Sequence, residues 1–166
     1  MGMRPNADPD AERPPDIAGL PVLDRVLTQA EAARVAAEPL AEVSLPFETR
    51  SRSRLRARLA DGREVAMVLP RGTVMRGGAV VEGSGLRVRV LAADEDVVEV
   101  SAPDANALAR AAYHLGNRHV ALQVAGDRLV IGYDAVLVDM LVGIGVRTKR
   151  CWAPFEPEAG AYAAHH

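Results

Sequence analysis

The sequence predicts an α+β protein in which a small all-β half precedes a half of strand–helix–strand–strand–helix–strand order. Three observations carry that expectation. Of the 166 residues 49% are hydrophobic, yet only two are Phe, three Tyr and one Trp, so the core is built from Val, Leu and Ala, a composition rich in strand-forming Val. From Val43 to Leu91 short runs of alternating aliphatic and polar residues are cut by glycine turns. Beyond Val97 strand-like runs alternate with two stretches of helical period.

Taken in order, residues 1–18 hold Pro5, Pro9, Pro14 and Pro15 among charged residues and Ala. That is too little apolar surface to offset ordering entropy, and an N-terminal arm is expected. Pro21 to Leu27 reads as a first strand, and Thr28 with Glu31 has capping-box spacing for a short helix to about Ala37. Leu55, Ala57 and Leu59 alternate with Arg54, Arg56 and Arg58, the period of a half-buried strand. Asp61-Gly62 turns the chain into Glu64 to Leu69, a further turn lies around Arg76-Gly77-Gly78, and Gly83-Ser84-Gly85 joins Val80-Val81 to a strand from Leu86 to Leu91. The acidic, unpatterned Ala92 to Asp96 is the expected boundary, closing a β-rich domain over residues 19–95.

The second domain is expected over residues 96–152. It comprises a strand at Val97 to Ser101, a helix from Pro103 to Leu115, a strand at His119 to Val124, a strand at Arg128 to Gly132, a helix from Ala135 to Ile144 and a strand at Val146 to Trp152. Asp104 has the position to cap the first helix and Gly116 the conformational freedom to close it. This βαββαβ order is that of the ferredoxin-like fold, an antiparallel sheet with both helices on one face. Residues 153–166, with two prolines and no period, are expected to leave the sheet as a flexible tail.

The net charge of −2 gives no general pull toward nucleic acid or an anionic membrane. Cys151 stands alone and cannot form an internal disulfide; there is no secretory leader pattern and no apolar run of about 20 residues. A soluble protein of the reducing cytoplasm is expected.

All four histidines, His114, His119, His165 and His166, fall in the second half. Imidazole suits Ni²⁺, Zn²⁺ and Cu²⁺, but one or two imidazoles per chain do not saturate such an ion, which suggests sharing between chains. His114 and His119 are five residues apart, about 140° around a helix axis, and form a poor chelating pair. His119 has two readings. In one it satisfies a backbone carbonyl at the helix end; in the other it faces its own copy across a two-fold axis, where each residue near the axis meets itself. In the second, His165 and His166 are expected to add labile ligands from the tail.

Arg50, Arg52, Arg54, Arg56 and Arg58 are expected on one strand face, either gripping an acidic peptide or phosphates, or keeping an exposed edge soluble. Cys151 has no sequence neighbour to activate it as a nucleophile, and Asp134 is more simply a helix cap than an acid–base partner of Asp139. There is no Walker loop, dinucleotide fingerprint or cysteine cluster, so no enzyme is expected.

The run Tyr113-His114-Leu115-Gly116-Asn117-Arg118-His119 resembles the signature of the UreE family of urease accessory proteins. Leu45-Pro46-Phe47-Glu48, Ser53-Arg54-Leu55-Arg56, Leu69-Pro70-Arg71-Gly72-Thr73 and Pro154 to Tyr162 resemble it too, so that the likeness runs from about Val22 to the end. The resemblance implies a β domain similar to a chaperone peptide-binding module, followed by a ferredoxin-like metal-binding domain that dimerises. It implies that His119 is the Ni²⁺ ligand contributed by both protomers of a homodimer. It also implies delivery to the accessory GTPase UreG within the urease maturation complex, for assembly of the urease active site. Two departures stand out. Many relatives carry a long His-rich tail where this sequence has only His165 and His166, and some have histidines where it reads Tyr133-Asp134-Ala135.

Overall fold

The structure, a computed structural model, describes residues 15–160. The fold is α+β as expected, and its chain divides into two compact units. One holds residues up to Ser44 together with Glu48–Leu91, the other Leu45–Phe47 with residues from Ala92 onward. Most of the expected arm, residues 1–14, lies outside the described residues.

The first unit contains β1 (Val22–Leu23), β2 (Arg25–Val26), α1 (Gln29–Arg34), β3 (Ala41–Leu45), α2 (Phe47–Arg50), β4 (Arg54–Arg58), β5 (Glu64–Val68), β6 (Val80–Gly83) and β7 (Leu86–Ala92), with β3, α2 and β7 reaching its limits. Two sheets form, of order β1-β5-β4 and β2-β6-β7-β3. The single strand expected over Pro21–Leu27 is therefore two short strands in different sheets. Val22 and Leu23 pair in parallel with Ala66 and Met67, while Arg25 and Val26 pair with Glu82 and Val81. The crossing depends on Gly83, where a β-carbon would lie 2.3 Å from the Val22 carbonyl oxygen. Beside it the Ser84 hydroxyl accepts the Val22 N–H at 2.9 Å and donates to the Val22 carbonyl at 3.0 Å.

The Thr28–Glu31 capping box is present, with both reciprocal bonds made, although α1 stops at Arg34. The five-arginine strand is not. Only Arg54, Arg56 and Arg58 lie on β4, exposed in alternation with buried Leu55 and Ala57. Pro46 starts a helical turn that breaks the period. Arg50 is consequently in α2, fully buried, donating from Nη1 to the Met75 carbonyl at 3.0 Å, and Arg52 pairs with Glu48 at 2.7 Å.

The second unit contains β8 (Asp94–Ser101), α3 (Ala105–Gly116), β9 (Leu122–Ala125), β10 (Arg128–Gly132), α4 (Ala135–Gly143) and β11 (Arg147–Pro154). Its sheet has the order β11-β8-β10-β9 with every neighbour antiparallel, the ferredoxin-like arrangement. Val98, Val100, Leu129 and Ile131 pack against Ala111 and Leu115 of α3 and Leu141 of α4. The acidic stretch is not unpatterned: the second unit resumes at its Ala92, and its Asp94 to Asp96 belong to β8, pairing with Pro154 to Trp152. Nor does the chain trail away from Ala153. Phe155 is buried with Val97 and Val130, its ring edge-on to Phe47 at 5.8 Å and 74°. Glu156 N–H donates to Gln123 Oε1 at 2.9 Å and Glu158 N–H to the Leu122 carbonyl at 2.7 Å. Val97 and Val130 require an apolar cover that helices on the other side of the sheet do not supply, and Phe155 provides it.

Candidate metal centre

Helix α3 presents the histidine segment. Asp104 caps its N-terminus by accepting the Ala107 N–H at 2.8 Å, and the buried Ala111 and Leu115 fix which side faces the sheet. Its C-terminus does not close at Gly116, as glycine chemistry suggested. Gly116 is the last helical residue, Asn117 keeps right-handed angles, and the left-handed position falls on His119, with φ +55°. His119 N–H donates to the Gly116 carbonyl at 2.9 Å and Val120 N–H to the Leu115 carbonyl at 3.3 Å, the paired bonds of a Schellman motif. Val120 packs on the cluster that contains Leu115, which supplies the apolar contact of the same motif.

This termination fixes the backbone of His119 and leaves its side chain exposed. Among the described residues the imidazole makes no hydrogen bond or ion pair; the contact to the helix end is made by the backbone N–H instead. Arg118 takes the capping role, donating from Nη1 to the His114 carbonyl at 3.3 Å, where its charge also complements the helix dipole. His114 is half-buried with its ring edge-on to Tyr113 at 5.5 Å. His165 and His166 lie outside the described residues.

Among the described residues no group of three or more His, Cys, Asp or Glu is placed to hold a metal ion. His119 fits a metal as one accessible, unengaged donor, and the rest of a coordination shell has to come from elsewhere. Cys151 is half-buried beside Val97, Val130 and Phe155, a packed thiol. Asp134 caps α4 by accepting the N–H groups of Val136 at 2.8 Å and Leu137 at 3.0 Å. Asp96 is held below the usual carboxylate range by its hydrogen bonds from Arg150, whose guanidinium also stacks over Tyr133 at 3.5 Å. No helix among the described residues is long and apolar enough to cross a membrane.

Two family models match the chain. One, for the UreE urease accessory protein N-terminal domain, covers residues 23–102, and the other, for the C-terminal domain, covers residues 95–166. The chain belongs to the UreE family. Proteins named urease accessory protein UreE are similar to it, among them one from Ralstonia nicotianae at 61% identity, over 74% of this chain and 58% of that protein. The protein from Cupriavidus necator is 57% identical over 74% of this chain and 64% of its own length, and that from Burkholderia thailandensis 54% identical over 75% and 59%. The chain thus matches somewhat less than two thirds of the length of these curated relatives. UreE is a family of accessory proteins of urease, not a catalytic one. Residue type alone points to Gly116 rather than His119 for the left-handed position. The signal for it is Leu141 to Val146, where the same Leu and Val flank Gly145 at the equivalent position.

Proposed function

We propose that this protein is a metallochaperone of urease maturation that binds Ni²⁺ between the His119 imidazoles of two copies and delivers it for assembly of the urease active site. The observation that supports this reading is the termination of α3, which holds the His119 backbone by hydrogen bonds on both sides of the residue while its ring has no partner among the described residues. Among the described residues a single chain offers too few donors, and a two-fold axis doubles them. Two imidazoles, supplemented by His165 and His166, grip a divalent ion without enclosing it, and a site of that kind loads and releases. Zn²⁺ and Cu²⁺ share the ligand preference and are expected to compete. On this reading the protein is a cytoplasmic homodimer, performs no catalysis, and hands Ni²⁺ to the accessory GTPase UreG in the urease maturation complex.

Calorimetric titration tests it. The wild type is expected to saturate at about one Ni²⁺ per two chains, as an isologous site requires, and His119→Gly to lose that binding. Unchanged affinity and stoichiometry in the variant would remove His119 from the site.

A second reading makes the first unit a peptide-binding scaffold, with metal incidental. Arg54 on the edge strand β4 favours it. Against it, Glu64 engages Arg56 at 2.6 Å and Arg58 at 3.9 Å, so little of the strand's charge is left for an acidic peptide. Capture of the GTPase with and without a chelator separates the readings, because a scaffold captures its partner equally in both.

A further inference from the structure

Strand β11 closes one end of the second unit's sheet and pairs with β8 along its whole length, from Arg147 to Pro154. Among the described residues no backbone hydrogen bond from another segment reaches its outer side. A row of free N–H and C=O groups is a template for a further strand, and proteins commonly blunt such edges with charge. Basic residues alone would blunt this one, but the strand also carries the chain's only tryptophan, Trp152, 72% exposed. Side chains alternate between the faces of a strand, so Arg150 shares the face of Trp152. The Arg150 guanidinium lies over the ring of Tyr133, itself 41% exposed, which widens the aromatic surface at this edge. Exposed aromatic surface of this kind marks contact sites.

The occupant follows from charge. Strand β11 reads Arg-Thr-Lys-Arg-Cys-Trp-Ala-Pro, with three cations and no carboxylate. Arg150 is neutralised by Asp96. On the other face Arg147 and Lys149 are exposed and make no side-chain hydrogen bond or ion pair among the described residues. Lys149 lies across from Glu99, but Arg128 engages that carboxylate at 3.2 Å. Two β11 edges side by side would set like charges together, which disfavours a second copy of this chain. We propose that the outer edge of β11 is a docking site for an extended acidic segment of a partner protein, which adds to the four-stranded sheet as a fifth strand. Backbone hydrogen bonds hold such a segment and its alternate side chains select it. The geometry asks for carboxylates two residues apart, toward Arg147 and Lys149, with apolar side chains between them on the Trp152 face. Strand β9, which follows His119, lies at the opposite end of the sheet, so this edge is separate from the candidate metal centre.

The test titrates the full chain with a blocked eight-residue peptide of alternating Glu and Val, matched to the length of β11. Trp152 fluorescence and amide exchange in β11 are the readouts. The peptide is expected to shift the fluorescence saturably and to slow exchange along β11, and an alternating Lys and Val peptide to do neither. Reversing the free charges together, with Arg147→Glu and Lys149→Glu, is expected to weaken the Glu-Val peptide at least about tenfold and to admit the Lys-Val one. A Glu-Val peptide with N-methyl groups on the residues facing β11 keeps its charge but cannot join the ladder, and is expected not to bind. The proposal is overturned if the N-methylated peptide binds as the parent does, if the charge reversal leaves affinity unchanged, or if no saturation is reached at millimolar peptide. Protection of β11 amides that grows with protein concentration in the absence of peptide would assign the edge to a second copy and overturn it as well.

Discussion

His119 and Gly145 occupy the same position in two helix ends of one backbone pattern. At the end of α4 the Gly145 N–H donates to the Val142 carbonyl at 3.0 Å and the Val146 N–H to the Leu141 carbonyl at 3.3 Å, matching the bonds around His119. Gly145 has φ +86° and His119 φ +55°, and Leu141 with Val146 repeats the packing of Leu115 with Val120. The protein thus places histidine where its own second helix uses the residue that fits without strain.

A glycine at position 119 should therefore be accepted by the fold. His119→Gly removes a β-carbon from left-handed geometry, worth about 1 kcal/mol, and adds entropy to the unfolded chain, so stability is expected to change by no more than about 1 kcal/mol. Chemical denaturation checks this. A large loss of stability would mean that the ring is part of the packing.

The converse substitution has the opposite sign. Gly145→Ala puts a β-carbon at φ +86° and is expected to destabilise by about 1–2 kcal/mol, read as a lower denaturation midpoint with unchanged slope.

Phe155 covers the sheet face that the helices leave bare. Removing its ring with Phe155→Ala is expected to cost about 3 kcal/mol, at the low end for a buried aromatic because the cluster is small. A near-neutral result in denaturant unfolding would show that residues beyond Pro154 do not stabilise the sheet.

The capping box gives a pH dependence. The hydrogen bond from Arg25, followed by those from Thr28, lowers the Glu31 pKa from 4.5 to about 2. A carboxylate depressed on folding contributes stability that is present above its unfolded pKa and lost as pH falls through the folded one, here from about pH 4.5 toward 2. Glu31→Gln is expected to flatten that part of the stability profile, measured by urea unfolding from pH 5 downward. A profile as steep as the wild type's would assign the acid sensitivity to other carboxylates.

Much of this was legible in the residues. Thr28 and Glu31 announce their capping box, Leu55 and Ala57 their buried face, and the order of runs after Val97 the ferredoxin-like sheet, because these signals are local and periodic. What was not legible depends on tertiary context. The split at Asp24 follows from two different sheets claiming its neighbours, and the burial of Phe155 from the needs of Val97 and Val130. The arginine run failed as a strand because Pro46 begins a helical turn that period-two counting passes over. At the candidate metal centre, residue type and resemblance both point to His119. Its left-handed backbone is not legible from residue type, since glycine is the usual occupant of that geometry and only the Leu-to-Val frame reveals the true position.

Anomalous diffraction from crystals grown with Ni²⁺ tests the shared site most directly. The account predicts a nickel peak on a two-fold axis within coordinating distance of the residue-119 imidazoles of two chains. Nickel held by ligands of one chain, with the two rings far apart in every assembly present, would contradict it.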